Sequence, residues 1–135
     1  MAGYVLDTSA VVALLYREEG ATQVRDLFAS ALPIYVPFMT MMETQYKILR
    51  DRRDLFDEYM ATIETWPIHV IESTPEWCER AARVKAPGGL SLGDAWVASL
   101  ALIEDAILVH KDPEFAGVAD LKAMPLPYKP RTTRK

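Results

Sequence analysis

Short apolar runs alternate with longer helical patterns along this chain. Tyr4-Val5-Leu6 is a strand-sized apolar stretch closed by Asp7. Thr8 to Tyr16 carries Val11, Val12, Leu14 and Leu15, a helix apolar over most of its surface, and Gly20 breaks it. Ala21 to Ala31 sets Val24, Leu27 and Phe28 on one face, which predicts a second helix. Pro33 and Pro37 bracket the strand Ile34-Tyr35-Val36. Phe38 to Leu49 reads as a helix with an apolar stripe of Met39, Met42, Tyr46 and Leu49. Asp54 to Trp66 is a further amphipathic helix stopped by Pro67, and Ile68-His69-Val70-Ile71 is a strand. Thr74-Pro75 opens a helix from Glu76 to Lys85, with proline at its first position. Leu92 to Ile103 is apolar nearly all round after Asp94, the pattern of a buried helix. Ile107-Leu108-Val109 is the last predicted strand, and Asp112-Pro113 begins a turn or short helix.

Strands that alternate with helices predict a parallel sheet covered on both faces. The expected fold class is α/β, a three-layer α/β/α sandwich with a mainly parallel central sheet. Residues 1–128 form one domain without internal repeat, and 129–135 form a basic, polar tail expected to be disordered.

Composition changes this picture little. The 135 residues make one ordinary domain, and 50% hydrophobic content suffices for a core. A single cysteine, Cys78, excludes an internal disulfide and fits a reducing compartment. It lies among Trp77, Ala81 and Val84 at helical spacing, and is expected to be a small buried apolar residue. No signal peptide is read. The longest apolar run, Ala95 to Ile103, is interrupted by Ser99 and is about half a membrane helix. A soluble, cytoplasmic protein with no membrane partner is expected. The net charge of −4 argues weakly against a nucleic-acid partner. If four carboxylates carry metal, however, the remaining acids balance the 15 Lys and Arg.

The chemistry lies in four acids, Asp7, Glu43, Asp94 and Asp112, each beside a segment that wants burial. In open α/β sheets ligands bind beyond the carboxyl ends of the strands, and Asp7 and Asp112 both fall there. Carboxylates gathered at such an edge repel one another unless a cation joins them. Each has a plainer reading. Asp7 and Asp112 suit helix N-caps, and Ser91-Leu92-Gly93-Asp94 fits a capping box. Glu43 is harder to dismiss, flanked by Met39, Met42 and Tyr46. Ser9 either bonds a ligand or satisfies a helix start.

Taken in order, these motifs resemble a PIN domain, and in particular the small VapC-type toxins of toxin–antitoxin systems. Val5-Leu6-Asp7-Thr8-Ser9 is similar to the family's opening strand and first acid, and Thr40-Met41-Met42-Glu43 to its helix glutamate. Ser91-Leu92-Gly93-Asp94-Ala95 is similar to the third acidic motif, and Val109 to Phe115 to the last. The resemblance runs from about Tyr4 to about Leu126. It implies an endoribonuclease dependent on Mg²⁺ or Mn²⁺, with Asp7 and Asp94 as principal ligands, Asp112 beside them, and Glu43 binding through water or orienting the nucleophile. Ser9 would assist a ligand or phosphate. It also implies an RNA substrate, a cognate antitoxin and a homodimer; Tyr16, Phe38, Met39, Met41, Met42 and Trp66 either supply apolar surface for such contacts or belong to the core. Lys47, Arg50, Arg52 and Arg53 follow Glu43 and suit an RNA backbone, or else a solvated helix end; Arg80, Arg83 and Lys85 are weaker candidates.

One position departs from the family. Many members carry threonine or serine two residues before the last acid, where this chain has His110. His110 is expected to be a surface or strand-end residue rather than a metal ligand, and His69 to be packed or partly exposed. Two other readings stand beside the nuclease. An aspartate-dependent phosphotransferase would usually place a second acid where Ser9 stands, and a non-catalytic RNA- or protein-binding domain would keep the fold alone.

Overall fold

The computed structural model describes residues 3–127, so the basic tail 129–135 lies outside the described residues. Five parallel strands lie in the order β3-β2-β1-β4-β5. They are β1 (Tyr4–Leu6), β2 (Ile34–Pro37), β3 (His69–Ile71), β4 (Ile107–His110) and β5 (Ala123–Pro125). Six α-helices connect them: α1 (Thr8–Tyr16), α2 (Ala21–Leu27), α3 (Phe38–Asp51), α4 (Phe56–Glu64), α5 (Pro75–Lys85) and α6 (Leu92–Glu104).

Strand alternation divides the core in two. Leu6, Ile34, Val36 and Val109 pack with Val11 and Leu14 of α1, Val24 of α2, Ile48 of α3 and Ile63 of α4. Val5 and Leu108 point the other way, onto Trp77 of α5 and Val97, Ala98 and Ala101 of α6. The molecule is therefore a three-layer sandwich with α1–α4 on one face and α5–α6 on the other. Ser99, the polar break in α6, accepts a 2.9 Å hydrogen bond from the Trp77 indole N–H, so its hydroxyl is satisfied inside the core.

The sequence pattern located four of the strands but not β5. Ala123-Met124-Pro125 carries a proline, which removes a ladder donor and disguises a strand. At the sheet edge that loss is tolerated. Pro125 pairs with His110, and the next residue restores the ladder through Leu126 N–H to the His110 carbonyl at 2.7 Å.

Three expectations need correction. Helix α2 ends at Leu27 rather than Ala31. Cys78 is exposed. Helix α5 buries Trp77 and Ala81, which are four apart, and Cys78 is turned about 100° off that stripe. In α3 the buried residues are Thr40, Thr44 and Ile48, while Met42 and Tyr46 are 53% and 55% exposed. The apolar stripe of that helix faces outward, because small threonines let it approach the sheet closely. The Thr40 hydroxyl donates to the Leu6 carbonyl at 3.0 Å and fixes the contact.

Candidate metal centre

Strand β1 lies between β2 and β4, so consecutive crossovers leave it in opposite directions and open a crevice at its carboxyl end. Asp7 emerges there. Its side chain is 5% exposed, and its N–H donates to the Val109 carbonyl at 3.1 Å, which ties it to β4. The Ser9 hydroxyl donates to Asp7 Oδ2 at 2.7 Å and accepts the Lys111 N–H at 3.0 Å. Ser9 thus joins the loop after β1 to the loop after β4, in addition to its place in the first turn of α1. Asp7 Oδ2 also caps that turn through the Ser9 N–H at 3.3 Å.

The other acids arrive from three directions. Asp94 stands in the first turn of α6, where the Ser91 hydroxyl accepts its N–H at 3.1 Å. Asp112 caps a 3₁₀ turn (Pro113–Gly117) by accepting the Glu114 N–H at 2.9 Å. Glu43 comes from α3, and the Thr8 hydroxyl donates to its Oε1 at 2.7 Å. Its other oxygen packs so closely on Gly93 that a Cβ there would lie 2.6 Å from Oε2. Both the capping and the site readings of Asp7 and Asp112 are therefore realised at once.

Asp7, Glu43, Asp94 and Asp112 line one cavity of about 350 Å³ together with Ser9, Lys47 and Lys111. Within this region Asp94, Asp112 and the exposed Glu114 each offer an oxygen within 4.8 Å of the others. The electrostatics follow from the crowding. Burial pushes the Asp7 carboxyl up to about 6, against the opposing hydrogen bonds from Ser9. Burial, then the charges of Asp7 and Asp112, push Asp94 up to about 7. Among the described residues none of these five carboxylates is in an ion pair. An all-oxygen donor set, in which Asp7 and Asp94 hold protons more tightly than free acids do, fits a hard divalent cation.

The sequence matches the PIN domain family over residues 4–121. The chain belongs to the PIN-domain family. No curated protein sequence matches it. Among solved structures, this PIN domain is similar to the chain in VapBC2 from Rickettsia felis bound to a DNA fragment from their promoter. The identity is 16%, over 92% of this chain and 98% of that one, with a TM-score of 0.78. It is similar to DNA-bound VapBC from Salmonella typhimurium at 16% identity, covering 93% and 98%, with a TM-score of 0.75. For VapBC-5 from Mycobacterium tuberculosis the values are 20%, 93%, 99% and 0.63.

Several residues of this PIN domain escape a sequence reading. Thr8, Thr40 and Gly93 shape the site without carrying charge, and Glu114 joins the acids only because the 3₁₀ turn folds it back. Gly93 alone left a signal, as a glycine inside a helix start. His110 ends β4 as expected but is 4% exposed rather than a surface residue. Its Nδ1 accepts the Asp112 N–H at 2.9 Å, so it holds the backbone of an acid. His69 is exposed. The basic group divides: Lys47 lines the carboxylate cavity, Arg50 and Arg53 line a neighbouring cavity of about 710 Å³, and Arg52 turns to Tyr16 and Tyr59. Arg80 and Arg83 line a third cavity, formed with the 87–90 loop, that contains none of the four acids.

Proposed function

We propose that this PIN domain is a metal-dependent endoribonuclease and the toxin of a toxin–antitoxin pair. The observation that carries the nuclease reading is the convergence of Asp7, Glu43, Asp94 and Asp112 on one cavity, with no cation paired to them among the described residues. Asp94, Asp112, Glu114 and Asp7 would hold Mg²⁺ or Mn²⁺, which when bound supplies a water of lowered pKa and neutralises charge on a phosphodiester. Ser9 fixes the Asp7 carboxylate. Glu43, oriented by Thr8, stands across the cavity to position the attacking water. Lys47 and Lys111 offer positive charge to the RNA backbone, and Arg50 near the end of α3 and Arg53 just beyond it extend it.

The toxin reading is supported by the likeness to chains from VapBC complexes. The outward apolar face of α3, with Met42 and Tyr46 beside the exposed Val70 of edge strand β3, suits both an antitoxin segment and a second copy of the chain. The deciding experiment is cleavage of a single-stranded RNA with Mg²⁺ or Mn²⁺, compared with EDTA and with Asp7→Asn. Cleavage should require metal and fall at least a hundredfold in the variant. Equal cleavage by the variant sinks the assignment.

A further inference from the structure

Arg52 follows Glu43 by nine residues yet takes no part in the carboxylate cavity. Helices α1 and α3 run side by side in the same sense, Thr8 touching Glu43 and Tyr16 touching Arg52. Eight residues of helix separate the two contacts, about 12 Å. At that far end lies a second cavity, of about 610 Å³, which shares no lining residue with the carboxylate cavity.

Its lining is unlike that of the rest of this acidic protein. Arg17, Arg25 and Arg52 all face it and no carboxylate does. None of the three is in an ion pair among the described residues. Two nearby acids are engaged elsewhere, Glu18 with Lys111 at 3.7 Å and Asp51 with Arg50 at 2.7 Å. Arg52 is held ready. Its guanidinium lies 3.9 Å from the Tyr16 ring centroid and donates one hydrogen bond, 2.7 Å, to the Tyr59 hydroxyl. The remaining N–H groups of that planar fork are free for an anion. The Tyr16 hydroxyl is buried here and has no hydrogen-bond partner among the described residues. Phe28 and Trp66, with ring centroids 5.6 Å apart, form an aromatic wall of the same cavity.

We propose that this cavity binds a nucleoside monophosphate, its phosphate among the three arginines and its base against Phe28 and Trp66. Guanidinium forks match phosphate oxygens, and an aromatic wall stacks any base. The volume lies in the range of small-ligand sites. An acidic peptide would use the arginines but leave the wall without a planar partner.

The test is calorimetric titration of the whole chain with AMP in EDTA, so that no metal bridges the nucleotide to the carboxylates. Saturable binding to one site is expected. It should weaken about tenfold or more in Arg17→Gln/Arg25→Gln. Both arginines are exposed, so that variant should keep its melting temperature. Asp7→Asn should bind AMP like the parent, and adenosine or inorganic phosphate alone should bind more weakly. The proposal is overturned by no binding at about millimolar AMP, by unchanged affinity in the arginine variant, or by adenosine or phosphate matching AMP. Displacement of AMP by hexaglutamate at equal concentration would also overturn it, and would assign the cavity to acidic peptides.

Discussion

At the scale of single residues the site is set by uncharged neighbours as much as by acids. Gly93 leaves room for the Glu43 carboxylate, and in Gly93→Ala one of them must move. A displacement near 1 Å costs about a hundredfold in rate, so activity should fall by that order while the melting temperature shifts by only a few degrees. Thr8→Val deletes the hydroxyl that orients Glu43; RNA cleavage should drop about tenfold with the fold intact by circular dichroism. Asp7 shows the cost of this design. Its folded carboxyl titrates near 6 instead of 3.8, so the native state binds the proton more tightly than the unfolded chain. Without metal, its contribution to stability therefore falls as pH rises from about 4 through 6, by up to about 3 kcal/mol. In EDTA, Asp7→Asn should melt higher than the parent at pH 7.5, and the gap should close towards pH 4. A gap independent of pH would contradict the raised carboxyl.

At the scale of elements, α3 carries the inversion that matters for function. Its Met42 and Tyr46 side chains look outward because Thr40, Thr44 and Ile48 occupy the face against the sheet. Thr40 is satisfied by the Leu6 carbonyl, whereas the Thr44 hydroxyl is buried without a partner among the described residues. Replacing an unpaired hydroxyl by a methyl removes a desolvation penalty, so Thr44→Val should stabilise by about 1 kcal/mol in urea unfolding. Thr40→Val should destabilise by a similar amount. The starts of α5 and α6 were legible in the chain, since Thr74-Pro75 and Ser91 act as the caps they resemble, whereas α4 begins at Phe56 rather than Asp54 because a 3₁₀ turn precedes it. Which face of α3 is buried was not, because hydrophobicity alone cannot anticipate a helix seated by small polar residues.

At the scale of the molecule, the carboxylates resist one another until a cation joins them. Mg²⁺ or Mn²⁺ should raise the melting temperature at pH 7.5, and much less at pH 5, where Asp7 and Asp94 hold protons that the metal must displace. A shift equal at both pH values would separate the ion from these acids. Exposed Met42, Tyr46 and Val70 place an apolar patch beside an unpaired sheet edge. Light scattering at micromolar concentration should accordingly give a dimer, and Met42→Glu should shift it towards monomer.

The linear order of apolar runs and caps was enough to establish an alternating α/β chain, four of its parallel strands and four acids bound for one edge. These are local properties, carried by side-chain period and by residues that stop or start an element. Tertiary packing decided the rest. It added β5 through pairing that a proline conceals, folded Glu114 back towards Asp94 and Asp112, and buried His110 behind an acid's backbone. It also sent Arg52, just past the end of α3, to Tyr16 and Tyr59, while Lys47, five residues earlier, lines the carboxylate cavity, because only the packed partners determine what each one meets.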